Sequence, residues 1–203
     1  MKRVCEVDTL HELFLLQYTL IMQATSKFIL RLFGWKAVLS VQEEPKSVIC
    51  IAPHTTNWDF ILGKLGCSAM GWKSSFLMKK EWFFFPLGAI FKAIGGIPVD
   101  RSRKTSLTDQ LAAVFIEREH FHLAIAPEGT RKPVADWKQG FYHIAMKANV
   151  PIQLAYIDGA KKEVGIGATF YPTGNVEADM KKIRAFYQNT TAIKSKNFLK
   201  IKE

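Results

Sequence analysis

Cysteine is scarce in this chain of 203 residues, which holds only Cys5, Cys50 and Cys67. An odd number at spacings no metal site uses excludes a disulfide framework and a zinc cluster, and suits a reducing compartment. Acidic residues are also few, 18 against 28 Lys and Arg, so the formal charge is +10. No uninterrupted run of about 20 apolar residues is present, and no transmembrane helix is expected. Residues 13–22 are broken by Gln17, and residues 82–99 contain Lys92, two prolines and three glycines. Lys2 and Arg3 are followed by Glu6, Asp8 and Glu12 without a small-residue cleavage site, so no signal peptide is expected. Low-complexity tracts and repeats are absent, and 48% of residues are hydrophobic, which excludes a disordered chain. There is no Walker loop, dinucleotide fingerprint, Gly-x-Ser-x-Gly elbow or cysteine beside a histidine.

What is present is a basic surplus that asks for an acidic partner: nucleic acid, anionic lipid headgroups or a phosphorylated substrate. The cations concentrate in residues 64–104, where Lys64, Lys73, Lys79, Lys80, Lys92, Arg101, Arg103 and Lys104 face only Glu81 and Asp100. Trp72, Phe76, Trp82, Phe83, Phe84, Phe85 and Phe91 lie among them. Such aromatics either fill a core or sit at headgroup level beside lysines on a membrane.

Residues 1–36 read as one amphipathic helical segment, with Leu13, Phe14, Gln17, Leu20, Ile21, Ala24, Phe28 and Arg31 at helical spacing and Gly34 as its stop. A helix this apolar is buried against protein or lies in a membrane interface. From residue 37 to 203 the pattern changes. Short apolar runs at 47–52, 122–126 and 152–157 read as buried strands. Between and after them, Leu107, Leu111, Val114 and Phe115, then Val176, Met180, Ile183 and Tyr187, follow helical spacing. Ser106 with Asp109 resembles a capping box. Strands alternating with helices indicate a single α/β domain.

Three polar clusters follow apolar runs, where α/β folds build their sites. In Pro53-His54-Thr55-Thr56-Asn57-Trp58-Asp59, the histidine can act as a general base near neutral pH. On a regular helix a separation of five residues puts His54 and Asp59 about 140° apart, so they meet only if the chain turns between them. Thr55, Thr56 and Asn57 are residues that make such a turn and cap a helix. Asp59 would then hold one ring nitrogen as N–H and free the other; otherwise it is an ordinary helix-start carboxylate. Gly95-Gly96-Ile97-Pro98-Val99-Asp100-Arg101 combines glycines that admit a close ligand with a guanidinium that matches phosphate, or is a tight turn with a solvated arginine. Pro127-Glu128-Gly129-Thr130-Arg131 repeats the glycine–arginine pairing and adds a hydroxyl and a carboxylate. His11, His120, His122 and His143 carry no such constellation and read as structural.

These three clusters, followed by Val150-Pro151-Ile152, resemble the four ordered blocks of the glycerolipid acyltransferases, the family of the bacterial 1-acyl-sn-glycerol-3-phosphate (lysophosphatidic acid) acyltransferases. The resemblance spans about residues 48–157. It implies a mixed, largely parallel β-sheet flanked by helices and an O-acyltransferase of phospholipid biosynthesis. His54 would be the general base and Asp59 its orienting partner. Arg101, Glu128, Gly129, Thr130 and Arg131 would hold the acceptor, with Lys79 and Lys80 as further phosphate ligands, and Pro151 and Ile152 would shape the site or acyl tunnel. The donor would be acyl-CoA or acyl carrier protein, the acceptor a lysophospholipid, and the location the cytoplasmic face of an anionic membrane, peripheral or monotopic. No metal, further cofactor or nucleic acid is implied. Thr56 stands where a serine is common, Lys132 likewise, and Gln153-Leu154 lacks a second proline that is frequent in the fourth block. These departures leave another lysolipid or a lyso-aminolipid open as acceptor. A non-catalytic module for anionic membrane or nucleic acid is the competing reading, and it leaves His54 and Asp59 unexplained.

Overall fold

A computed structural model describes residues 2–99, 106–132 and 134–193. In chain order it comprises α1 (Lys2–Leu32), β1 (Lys36–Leu39), β2 (Lys46–Ala52), α2 (Asn57–Ala69), β3 (Ser74–Lys79), a 3-10 turn (Lys80–Trp82), α3 (Leu87–Ala93), β4 (Gly96–Val99), α4 (Leu107–Glu117), β5 (Phe121–Ile125), α5 (Gly140–Ala148), β6 (Ile152–Asp158), β7 (Glu163–Phe170) and α6 (Val176–Phe186). The seven strands form one sheet in the order β1-β7-β6-β2-β5-β3-β4. Every pairing is parallel except β6 with β7, so the sheet is mixed and largely parallel, as expected.

Side-chain alternation along the central strands fills both faces. On one face Val48, Cys50, Leu123, Ile152 and Leu154 pack under Leu111 and Phe115 of α4, Phe141 and Ile144 of α5, and Met180 and Ile183 of α6. On the other, Ile49, Ala155, Ile157, Val164 and Ile166 pack under Leu62, Cys67 and Ala69 of α2, with Leu30 of α1 joining them. Gly66 brings α2 close to the sheet: a Cβ there would lie 2.6 Å from Val164 Cγ2.

The helix α1 presents its apolar side outward. The residues turned inward near its end are Gln23, Ser26 and Leu30, and Ser26 Oγ donates to Ser68 Oγ at 2.8 Å. Leu13, Phe14, Leu20, Ile21, Phe28 and Phe33 are exposed, Phe28 by 68%. No helix among the described residues is long and apolar enough to cross a membrane. The aromatics of residues 64–104 divide: Trp72 and Phe76 are buried, whereas Trp82, Phe84 and Phe85 are exposed.

Candidate active site

The site begins with the turn that leaves β2. Thr56 is the N-cap of α2, in extended backbone (φ −144°, ψ 169°), and its hydroxyl accepts from Trp58 N at 3.1 Å. Asp59 is the third residue of the helix and completes a capping box. Its buried carboxylate accepts the amides of Thr55 and Thr56 (the latter at 2.6 Å) on Oδ2, and the Thr56 hydroxyl at 3.2 Å on Oδ1. The same turn brings His54 back over α2, so that His54 Nδ1 lies 3.5 Å from Asp59 Oδ2. His54 is partly open at 28% and Asp59 closed at 3%. Burial works to raise the Asp59 carboxyl, but His54 and the Thr56 and Thr55 amides outweigh it and hold the group below its ordinary range. A carboxylate against Nδ1 keeps the proton there and leaves Nε2, across the ring, as the free base.

The second strand end belongs to β5, which lies beside β2 in parallel register. Glu128 turns inward, not to the surface. It is buried, and its Oε1 accepts from His54 N at 3.0 Å. Its Oε2 is buried with no hydrogen-bond partner among the described residues, and burial raises the carboxyl to about 7. Gly129, at φ +61°, takes the left-handed turn that glycine favours, and a Cβ there would stand 3.0 Å from Lys138 Nζ. Thr130 Oγ1 accepts from Lys132 N at 3.2 Å. Exposed Arg131 donates through Nη1 to Asn57 Oδ1, which ties this loop to the first turn of α2.

Beneath both strand ends lies a cavity of about 810 Å³, lined by His54, Asp59, Gly129 and Lys138 and by apolar groups from both faces of the sheet. Residues 39–157 match the model of the family described as Acyltransferase. The chain belongs to the acyltransferase family. The crystal structure of the 1-acyl-sn-glycerophosphate (LPA) acyltransferase PlsC from Thermotoga maritima has the same fold, with a TM-score of 0.59 at 14% identity, over 83% of this chain and 76% of that one. No curated protein matches the sequence.

Within this acyltransferase the remaining sequence candidates fall in different places. Lys79 ends β3 and lines a smaller hollow of about 300 Å³ with Leu77, Trp82 and Leu107, while Lys80 begins the 3-10 turn. Arg101 lies outside the described residues. The glycines before it serve packing instead of ligand approach: a Cβ at Gly95 would meet Ser74 O at 2.7 Å, and one at Gly96 would meet Phe91 O at 2.7 Å. Residues 96–99 are themselves the strand β4, seated against β3. The fourth block does not line the cavity. Pro151 O accepts from Val48 N at 3.0 Å and Ile152 is fully buried in the sheet. His122 is buried among the strands: its Nδ1 shares a 2.7 Å hydrogen bond with Ser47 Oγ, its ring stacks on Trp72, and its Nε2 lies 3.5 Å from Glu43 Oε1, a carboxylate that the sequence does not pair with it.

Motif reading passed over Lys138, gave Asn57 only a role in the turn, and counted Lys64 only among the cations. The last had a signal in the sequence. Phe60, Gly63, Lys64 and Cys67 recur at helical spacing and all line the cavity, so a lysine interrupts the inward stripe of α2. Among the described residues no group of three His, Cys, Asp or Glu side chains could hold a metal ion.

Proposed function

We propose that the enzyme moves a fatty acyl group from a thioester donor to the free hydroxyl of a lysophosphatidate-like acceptor, with His54 as general base oriented by Asp59. The observation that carries this reading is the His54–Asp59 pair, 3.5 Å apart, on the wall of an 810 Å³ cavity large enough for an acyl chain. His54 Nε2 takes the proton of the acceptor hydroxyl as its oxygen attacks the thioester carbonyl. The C–S bond then breaks, and the departing thiolate recovers the proton from the imidazolium. Asp59 stabilises the positive ring between those two transfers. The thioester supplies the activation, so the transfer as written calls on no covalent enzyme intermediate and no further cofactor. The carrier is coenzyme A or acyl carrier protein.

Arg131 at the rim, with Gly129, Thr130 and the neighbouring Lys138, holds the acceptor phosphate. The fork of Arg131 is the group best matched to it. Lys79, Lys80 and Arg101 extend the same role. Glu128 supports the acceptor site from behind, through the His54 backbone. The enzyme works on the anionic cytoplasmic leaflet without spanning it. What supports this is the outward apolar side of α1, the exposed Trp82, Phe84 and Phe85, and the lysines among them.

The test is acyl transfer to 1-acylglycerol 3-phosphate from both donors, with mass detection of the product and a panel of other lysolipids and lyso-aminolipids beside it. His54→Ala, folded by circular dichroism, is expected to lose roughly 10²–10⁴-fold in turnover. Undiminished turnover in that variant overturns the mechanism, and product formed only on another acceptor overturns the substrate.

A further inference from the structure

The cavity is not apolar to its end. On the α2 side its walls are Ile49 and Ile51 of β2, Ala124 of β5, and Phe60, Gly63 and Cys67 of α2. Gly63 adds no side chain to this wall and lies close to the sheet, where a Cβ would stand 3.2 Å from Ile51 Cδ1; the part of the cavity between these residues forms a groove along α2. At the far end of the groove sits the Lys64 ammonium. It donates to Ser74 O at 2.6 Å and to Ser74 Oγ at 3.4 Å, with the Phe76 ring centroid 5.8 Å away. Burial among these groups holds its basicity below that of an ordinary lysine.

The sheet register gives the depth. Ser74 and Ser47 both pair with His122, so Ser74 stands level with Ser47. The strand β2 runs five residues further before the His54 turn, about 16 Å at roughly 3.3 Å per residue. An extended chain of carbons with bonds near 1.5 Å advances about 1.3 Å per atom, so this depth holds about a dozen carbons.

Resting on the acyl-transfer reading, we propose that Lys64 is a specificity-determining residue: hydrogen-bonded to Ser74, it forms a polar floor to the α2 side of the cavity and limits the length of the acyl chain transferred. A lysine has three donors and no acceptor, and a methyl terminus offers it nothing. A longer chain can pass only by displacing the ammonium from its oxygens inside an apolar wall, which is unfavourable. A cation that merely stapled α2 to β3 would influence stability and leave chain length alone.

The test separates chain binding from turnover. Non-transferable S-alkyl thioethers of 4′-phosphopantetheine, the arm common to both carriers, are titrated calorimetrically from C8 to C18. In the wild type, affinity rises with each added pair of carbons to about C12–C14 and then stops rising. In Lys64→Met, and in Lys64→Leu as a second neutral replacement, it continues to rise, with C16 bound at least about tenfold tighter than by the wild type. Lys64→Arg keeps the limit. The same plateau in all four proteins, or no dependence on chain length in the wild type, overturns the proposal. A plateau that moves only when the chain of the lysolipid is varied assigns the groove to the acceptor and also overturns it. Failure of the acyl-transfer reading would be seen separately, as thioethers that bind with the expected length dependence while the matching acyl thioesters give no product.

Discussion

Glu128 is the residue whose environment is most at odds with its chemistry. One oxygen accepts the His54 amide and the other is buried with no partner among the described residues, so the uncharged acid is the favoured form until about pH 7. The ordinary value is 4.5. Between those values the unfolded chain has released this proton and the folded protein still holds it, so folding stability falls as pH rises through the window. Below pH 4.5 both states are protonated and no slope remains. Glu128→Gln keeps an acceptor for the His54 amide and removes the titration. Relative to that variant, the wild type is expected to lose up to about 3 kcal/mol between pH 4.5 and 7. Thermal unfolding of the two proteins at half-unit pH steps checks this, and parallel curves across the window would sink it. Asp59 has the opposite sign. Its carboxyl is held down, so the stability it adds is present above its unfolded value near 3.8 and lost as pH falls through its lower folded value.

The start of α2 combines a structural cap and the site. Thr56 accepts from the helix while Asp59 accepts from the turn, and the geometry that satisfies these amides is the geometry that presents His54. Thr56→Ala is therefore expected to cost about 1 kcal/mol of stability and to reduce kcat several-fold, while Thr56→Ser restores both. Chemical denaturation alongside single-turnover kinetics would show it; loss of stability with unchanged kcat would uncouple cap from site. This junction was legible in the sequence because the cap, the turn residues and the histidine are local. The central strands at 46–52, 121–125 and 152–158 were legible for a related reason, since burial on both faces demands continuous apolar runs. Long-range packing was not legible. Nothing in Gly95-Gly96 says that its neighbours would be the Ser74 and Phe91 carbonyls instead of a ligand. The inward course of Glu128 was not legible either, because its motif hides the direction of the side chain. The 3.6-residue repeat in α1 identified a helix, but its oily side faces outward, and only the contacts of Ser26 and Leu30 show which side is covered.

At the scale of the whole molecule, the proposed docking on an anionic membrane rests on the surplus of ten positive charges and the exposed apolar side of α1. Vesicles containing anionic phospholipid are expected to bind the protein at least about tenfold better than neutral ones at low salt, and the advantage should shrink toward 1 M salt. Replacing Phe84 and Phe85 together by Ser should weaken binding at every salt concentration, because it removes apolar area instead of charge. Sedimentation with vesicles measures both effects, and binding indifferent to lipid charge would remove the electrostatic part.

The edge of the sheet ties the two ends of the chain in time as well as in space. Strand β1 has β7 as its partner, Lys36 opposite Glu163, across more than a hundred intervening residues. At about 5–20 residues per second, a ribosome that has finished β1 needs roughly 6–25 s to deliver β7. Until then β1 has no strand to pair with, and the buried cluster that includes Leu30 of α1 lacks Ile157 and Val164. The helix α1 can settle on α2 early, through Ser26 and Ser68, but the cluster around Leu30 closes only when β7 arrives. A truncation that removes β7 would be felt more than a hundred residues upstream, in β1, which would lose its strand partner.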